Sequence, residues 1–126
     1  MNASDEWLRY ATSNLEIAKN VVKSADIRYE DLCNQLEQAV EKALKGLLVF
    51  HGENPPKTHD LYRILQEVEK YENIPDGMTD VILLNDHAVL TRYPGVYTEL
   101  KQEDFDNSLM IAEMCLSWVR EIIKTQ

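Results

Sequence analysis

The feature that most constrains the fold is a row of apolar residues that recurs at helical spacing between about Asp31 and His51. The row consists of Leu32, Leu36, Ala39, Val40, Ala43, Leu44, Leu47 and Leu48, and all of these positions lie on one face of a helix. Gln38, Glu41, Lys42 and Lys45 fall on the other side. A helix of this length with one apolar face is stable only when that face is covered, so the pattern predicts a bundle of helices.

Two glycines of this segment have different predicted roles. Gly46 projects toward the apolar side, where the missing side chain lets another helix approach closely. Gly52 is placed to adopt the left-handed conformation that ends a helix. The segment 53–57 contains two consecutive prolines, which enforce a break.

Four further helices are expected from periodicity and capping signals. They run from an N-cap at Ser4 to about Lys23 or Ser24, from an N-cap at Thr58 to about Tyr71, from about Met78 to Leu90, and from about Gln102 to Lys124. No segment shows sustained strand-like alternation. The sequence therefore predicts one all-α domain over residues 1–126, an antiparallel up-down-up-down four-helix bundle with an additional short helix.

The first helix carries a polar residue within its predicted buried stripe. The apolar members of that stripe are Trp7, Ala11, Ala18, Val21, Val22 and Ala25. Asn14 falls among them, so it is either satisfied by a neighbouring helix or part of a site.

The last helix is apolar on two sides. One stripe consists of Phe105, Leu109, Ala112, Leu116, Val119 and Ile123, and the second consists of Ile111, Met114, Trp118 and Ile122. The second stripe must face a further layer of the chain, a partner or water. We expect it to form the interface of a homodimer, because few helices are available to cover it.

Composition narrows the function classes. The chain has 126 residues, and 22 acidic residues against 13 basic ones give a net charge of -9, which argues against direct nucleic-acid binding by this chain alone. The longest apolar run, residues 47–50, is far shorter than the ~20 residues of a membrane span, and no signal peptide is evident. We therefore expect a cytoplasmic protein without membrane contact, with two reduced cysteines, Cys33 and Cys115, in its core. No metal site, cofactor or catalytic nucleophile is predicted.

Three motifs in a fixed order connect the chain with a known family. They are Gln38-Ala39-Val40-Glu41-Lys42-Ala43-Leu44-Lys45-Gly46-Leu47-Leu48 in the second helix, Lys57-Thr58-His59-Asp60-Leu61 at the start of the third, and Thr91-Arg92-Tyr93-Pro94 after the fourth. In this order and spacing they resemble the HEPN family, a nucleotide-binding domain of higher eukaryotes and prokaryotes. Asn14-Leu15-Glu16-Ile17-Ala18 also matches a segment where the family often has Asp-Leu-x-x-Ala.

The resemblance implies a four-helix bundle that commonly forms a homodimer. It also implies a partner, since members are frequently encoded beside a minimal nucleotidyltransferase and work with it in pairs of the toxin–antitoxin type. Some members bind nucleotides as accessory domains, and others are RNA-cleaving toxins that depend on an Arg followed by four to six residues and then a His. No Arg and His of this chain have that spacing, and the nearest imitation runs from Lys45 to His51. A lysine cannot make the bidentate contact with phosphate that an arginine makes.

The motif residues also define a candidate ligand site. The residues predicted for this site are Lys42, Lys45, Thr58, His59, Arg92 and Tyr93. Together they offer a phosphate or nucleotide positive charge, the N-terminus of a helix, an imidazole and an aromatic ring for stacking. Structural roles are the alternative. Lys42 and Lys45 would then form a solvated face paired with Glu41, Thr58 would be a helix cap, and His59 and Arg92 would tie helices together.

The function expected from these observations is a non-catalytic, dimeric module that binds a nucleotide or phosphorylated ligand and partners a minimal nucleotidyltransferase. An RNA-cleaving toxin that uses His59 and Arg92 in place of the missing motif is the first alternative. A purely structural interaction domain is the second.

Overall fold

The computed structural model describes residues 2–21, 23–85 and 99–124, and helices joined by turns account for them. The helices are α1 (Ala3–Asn20), α2 (Tyr29–Phe50), α3 (Leu61–Val68), a 3-10 helix (Met78–Val81), helical residues 82–85, here called α4, and α5 (Gln102–Lys124). These ranges contain no strand. The predicted all-α class is confirmed.

Helix α1 runs antiparallel to α2 along most of its length. Trp7, near the start of α1, lies against Gly46 near the end of α2. Farther along α1, the side chain of Asn14 contacts that of Lys42, which is one turn earlier in α2. This pair of helices forms the largest interface in the described bundle.

Helix α5 lies against both α1 and α2. It runs antiparallel to α1, and one contact between the two helices is an ion pair in which Nζ of Lys19 lies 3.4 Å from a carboxylate oxygen of Glu113. With α2 it runs parallel, because the Tyr29 and Phe105 rings, each near the start of its helix, lie 6.1 Å apart.

The short helix α3 is the additional helix of the bundle, and it runs in the direction of α2. His59, just before α3, contacts Glu41 in the middle of α2, whereas Tyr71, just after α3, stacks on His51 at the end of α2. Helix α4 then returns toward the start of α3, where Asn85 binds the backbone. Helices α1, α2, α4 and α5 therefore alternate in direction, as the bundle prediction required.

The core is centred on α2, all of whose predicted apolar face is buried. The other helices contribute mainly aliphatic residues to the same cluster. These are Ala11, Leu15 and Ala18 from α1, Leu61, Ile64, Leu65 and Val68 from α3, Met78, Val81 and Leu84 from the following segment, and Ala112, Leu116 and Val119 from α5.

Both predictions about glycines of α2 and the turn after it are confirmed. A Cβ added at Gly46 would lie 2.8 Å from Cβ of Trp7 and 3.4 Å from the backbone oxygen of Ser4, so the α1 backbone approaches here as only glycine permits. Gly52 has a φ of +85° and follows the last helical turn. The amide of Glu53 closes that turn by donating to the carbonyl of Leu48 at 3.0 Å.

Two predicted helix starts are wrong. Helix α1 is capped by Asn2 rather than Ser4, since Oδ1 of Asn2 accepts from the Asp5 amide at 2.9 Å and from the Ser4 hydroxyl at 2.8 Å. Helix α3 begins at Leu61 and is capped by Asp60, not Thr58. In both cases two nearby residues had suitable side chains, and the backbone path decided which one became the cap.

The predicted stripe of α1 is only partly correct. Ala11 and Ala18 are buried, and Leu15, which was not assigned to the stripe, is buried with them. The helix ends at Asn20, several residues before the predicted end, so Ala25 is exposed in the following turn. Val22 lies outside the described residues.

The second apolar stripe of α5 is mostly covered by the chain itself. Ile111, Trp118 and Ile122 are half-buried and pack against the core, whereas Met114 is 36% exposed. The neighbouring Met110 is 65% exposed. The sequence left open whether this stripe is covered by the same chain or by a partner, and for three of its four residues the same chain provides cover. The homodimer stays a prediction.

Both cysteines are buried and free, as expected. Burial raises the pKa of the Cys33 thiol to about 11 and that of the Cys115 thiol to about 12. Among the described residues no helix is long and apolar enough to cross a membrane.

Candidate functional site

A buried carboxylate joins two of the predicted site residues. Nζ of Lys45 donates to Oε2 of Glu41 at 3.1 Å, one turn away on α2. The Nδ1 of His59 lies 2.9 Å from Oε1 and 3.0 Å from Oε2 of the same carboxylate. The structure thus brings Lys45 and His59 together through Glu41, although 18 residues separate His59 from Glu41 in the chain.

The position of this cluster on α2 corrects one alternative. The side chains of Glu41 and Lys45 are only 10% and 9% exposed, so they do not form a solvated face. Removing two charges from water is costly unless they pair with each other. Lys45 therefore neutralises Glu41. Because it is buried and paired, it contributes little to binding a ligand.

His59 differs from the two residues beneath it, since its side chain is 82% exposed. A carboxylate can only accept, so the ring nitrogen that faces Glu41 carries the proton. The other nitrogen, Nε2, is then left to contact a ligand. An imidazole oriented in this way can accept a proton through Nε2 or, when charged, donate one to an anion.

Lys42 belongs to a second, smaller contact set between α1 and α2. Its ammonium donates to Oδ1 of Asn14 at 2.8 Å, and Nδ2 of Asn14 donates to Oε1 of Gln35 at 2.8 Å. Asn14 is thereby satisfied by a neighbouring helix, which is one of its two predicted roles. Because Asn14 and Gln35 are neutral, this contact leaves the charge of Lys42 uncompensated.

The first two amides of α3 are already bonded and are not free to bind an anion, contrary to the sequence prediction. The amide of Tyr62 donates to Oδ1 of Asp60 at 3.0 Å, and the amide of Leu61 donates to Oδ1 of Asn85. Thr58 accepts from the Asp60 amide at 3.1 Å, and so it closes a local turn. The Asp60 carboxylate would also repel a phosphate at this point.

Sequence reasoning missed Asn85 and the neighbouring Glu37. Nδ2 of Asn85 donates to the backbone oxygen of His59 at 3.0 Å and lies 3.4 Å from Oε1 of Glu37, which is buried on α2. The only sequence signal is weak: Glu37 is a charged residue four positions before Glu41 on the same face, and Asn85 interrupts the apolar run 81–84.

The other predicted members, Arg92 and Tyr93, lie outside the described residues, and so does His87. Of the six predicted residues, the described part of the chain connects Lys45 with His59, holds Lys42 on the adjacent side of α2, and gives Thr58 a local role. Within the described ranges, no group of three His, Cys, Asp or Glu side chains could hold a metal ion.

A second histidine provides a structural contrast with His59. His51 stacks on Tyr71 with ring centroids 4.7 Å apart, and its Nε2–H donates to Glu72 at 2.8 Å, with its side chain 23% exposed. The Tyr71 hydroxyl donates to Glu53, which raises the pKa of Tyr71. His51 thus ties the end of α2 to the residues after α3.

Comparison with known proteins agrees with this helical architecture. The family model of the HEPN domain matches residues 4–122, nearly the whole chain. The chain belongs to the HEPN domain family.

Individual relatives of the chain come from archaea and bacteria. It is 27% identical over 134 residues to a protein of Methanocaldococcus jannaschii named "Putative toxin MJ1304", covering 94% of this chain and 86% of that protein. The crystal structure of TT1696 from Thermus thermophilus matches with a TM-score of 0.81 at 26% identity over 96% of this chain and 98% of that one. The crystal structure of ST0689, an archaeal HEPN homologue, matches with a TM-score of 0.74 at 28% identity over 98% and 99% of the two chains.

Proposed function

We propose that this HEPN chain forms a homodimer, binds a nucleotide or another phosphorylated ligand, and partners a minimal nucleotidyltransferase. The phosphate of the ligand contacts Nε2 of His59, and Lys42, on the adjacent side of α2, contributes a positive charge that its contact with Asn14 does not neutralise. Arg92 and Tyr93 enter this proposal from the sequence motif alone. The chain itself is proposed to bind its ligand without chemical conversion.

The observation that carries the proposal is the environment of His59. A histidine that only stabilises a fold is usually held within the structure, as His51 is, whereas the His59 side chain is 82% exposed. Its orientation is nevertheless set by a buried carboxylate, which is itself held by a buried lysine. An exposed imidazole supported in this way is typical of a residue that acts on something outside the protein.

Calorimetric titration with ATP tests the binding proposal. Wild-type protein should bind ATP only weakly, because the net charge of the chain opposes anions. We expect a dissociation constant in the micromolar-to-millimolar range, which corresponds to a binding free energy of about 4–8 kcal/mol. His59→Ala should weaken binding, and Lys42→Ala should also weaken it and reduce its salt dependence. His51→Ala is the matched control, since it removes an imidazole from the same domain but away from Glu41. Absence of heat in wild-type protein at millimolar ATP contradicts the proposal.

RNA cleavage is the second candidate function, and two observations favour it. An imidazole whose Nδ1 proton is held by a carboxylate is arranged to act as a general base through Nε2. In addition, a relative carries the word toxin in its name. The missing Arg-to-His spacing argues against this candidate, so it ranks below binding.

Incubation of the purified chain with transfer RNA and messenger RNA separates the two functions. The leading proposal expects intact RNA at concentrations where ATP binds. Cleavage that disappears in His59→Ala and persists in His51→Ala would replace binding with catalysis as the role of the site.

The partner is tested by co-expression. A nucleotidyltransferase encoded beside this chain should co-purify with it at a fixed ratio through size-exclusion chromatography. If such a neighbour is expressed in soluble form and elutes separately, this part of the proposal is wrong.

A further inference from the structure

Asn85 binds the main chain on both sides of Asp60, at the turn that precedes α3. Its Nδ2 donates to the carbonyl oxygen of His59 at 3.0 Å, and its Oδ1 accepts from the amide of Leu61. One side-chain amide therefore closes two backbone contacts to a segment 24–26 residues earlier in the chain. This arrangement fixes the path of the turn relative to α4.

The same asparagine also faces α2. Its Nδ2 lies 3.4 Å from Oε1 of Glu37, one helical turn before Glu41. His59 is therefore held at two points against one helix: its imidazole by Glu41, and its carbonyl by an amide that also lies beside Glu37. An exposed side chain on a loosely held turn would sample several rotamers, and only some of them would reach Glu41.

We propose that Asn85 is a positioning residue of the ligand site. It holds the main chain of His59 so that Nδ1 stays on Glu41 and Nε2 faces outward. The role in ligand affinity rests on the proposed function, whereas the role in orienting the imidazole does not.

A cap for α3 is the competing explanation, because Oδ1 of Asn85 satisfies the first amide of that helix. Asn85→Asp distinguishes the two roles. The aspartate keeps an acceptor for the Leu61 amide but loses the donor to the His59 carbonyl. Asn85→Asp is made in a Glu37→Gln background, with Glu37→Gln alone as its reference, because two carboxylates would otherwise repel each other at this point. If Asn85 is only a cap, Asn85→Asp leaves His59 unaffected in that background, and if it positions His59, both Asn85→Ala and Asn85→Asp disturb the imidazole.

The first measurement is a long-range ¹H–¹⁵N NMR spectrum of the imidazoles in ligand-free protein, with the His59 signals assigned by their loss in His59→Ala. Wild-type protein should show a protonated Nδ1 and an unprotonated Nε2 when the ring is neutral. Both Asn85 variants should shift these signals toward the average of the two tautomers. Asn20→Ala is the matched control, because Asn20 is an asparagine of α1 that bonds to Glu16 and should leave His59 unchanged.

The second measurement is the ATP titration. Losing one orienting hydrogen bond should weaken affinity by about fivefold in both Asn85 variants and leave it unchanged in Asn20→Ala. Melting curves of all three variants identify any that is unfolded at the titration temperature. Wild-type tautomer signals and affinity in folded Asn85→Asp or Asn85→Ala would overturn the inference. Changed tautomer signals with no ATP binding in wild-type protein would support the positioning role and contradict the proposed function.

Discussion

At the scale of single residues, the cluster of Glu41, Lys45 and His59 separates a structural pair from an accessible group. Glu41 and Lys45 are both buried polar residues on α2, and each satisfies the other. His59 adds a second donor to the carboxylate from the solvent side. The stability of this region should therefore depend on the lysine and the carboxylate much more than on the histidine.

Removing Lys45 should be strongly destabilising. Lys45→Met leaves the Glu41 carboxylate buried beside an exposed imidazole, and breaking a buried pair costs about 3–5 kcal/mol of unfolding free energy. Urea denaturation followed by circular dichroism measures the loss. The double variant Glu41→Leu with Lys45→Met should recover much of it, because no buried charge then remains.

The control is Lys70→Met, which removes a lysine from an exposed pair with Glu67. Its melting temperature should stay close to that of wild-type protein. Equal destabilisation by the Lys45 and Lys70 variants would mean that burial of the Glu41 pair has no energetic consequence.

The two cysteines predict a loss of stability at alkaline pH. Their pKa values are about 11 and about 12 in the folded protein against 9.0 ordinarily, because burial disfavours the thiolate. Above pH 9.0 the unfolded chain releases thiol protons that the folded chain retains, so the free energy of unfolding falls as pH rises toward the folded values. Urea melts on either side of the ordinary pKa should show this fall, and Cys115→Ala should show a smaller one. If the free energy of unfolding of the Cys115→Ala variant falls with pH as steeply as that of wild-type protein, the buried Cys115 thiol does not cause the loss of stability.

The sequence could predict the candidate residues but not their contacts. The i,i+4 spacing of Glu41 and Lys45 correctly indicated a pair. It could not indicate burial, which depends on how the rest of the chain packs against α2. Asn85 and His59 are 26 residues apart and share no local pattern, so their contact is visible only in the folded chain.

At the scale of helices, the approach of α1 to α2 is limited by a single residue. Gly46 lets the α1 backbone and Cβ of Trp7 come closer than a side chain would allow. Local helix propensity and tertiary packing oppose each other at this position, since glycine is a poor helix former.

Gly46→Leu should therefore destabilise the bundle by about 1–3 kcal/mol through overpacking, although leucine favours the helix by close to 1 kcal/mol. Thermal melting measures the result. Asn34→Leu is the control, because Asn34 is an exposed position of the same helix and its substitution improves propensity without a clash. If the Gly46 variant melts at or above the wild-type temperature, α1 does not pack on Gly46 as described.

Helix boundaries were predictable where periodicity was strong and nearby capping residues did not compete. The predicted bounds of the last helix, Gln102 to Lys124, are those of α5. At the start of α3, Thr58 and Asp60 both have capping side chains, and the position of Asn85 beside the Leu61 amide belongs to tertiary structure. Local sequence does not contain that contact.

At the scale of the whole molecule, the exposed part of α5 is the surface on which the proposed homodimer depends. The chain itself half-covers Ile111, Trp118 and Ile122, a result that the helical pattern alone could not distinguish from a dimer contact. Met114 and Met110 are the exposed methionines of the same helix. The topology was predictable from the number of helices, whereas this division between internal and external contacts was not.

Light scattering tests the dimer at micromolar concentration. Wild-type protein should have twice the mass of one chain, and Met114→Glu should shift it toward monomer, because a charge buried at an interface is desolvated without a partner. Trp118→Glu is less informative, since Trp118 also packs against the core. Ile17→Glu is the control, because Ile17 is an exposed apolar residue of α1. A wild-type monomer rules out this interface.

The sharing of Glu41 between a buried lysine and an exposed histidine has a consequence for how the domain can diversify. Because Lys45 already satisfies the carboxylate, replacing His59 leaves no unpaired buried charge, so position 59 should accept many amino acids with little effect on cellular abundance. Positions 41 and 45 should accept few unless both change together. A deep mutational scan that measures abundance and ligand binding separately should then find that substitutions at position 59 change ligand binding but not abundance. Single substitutions at positions 41 and 45 should lower abundance.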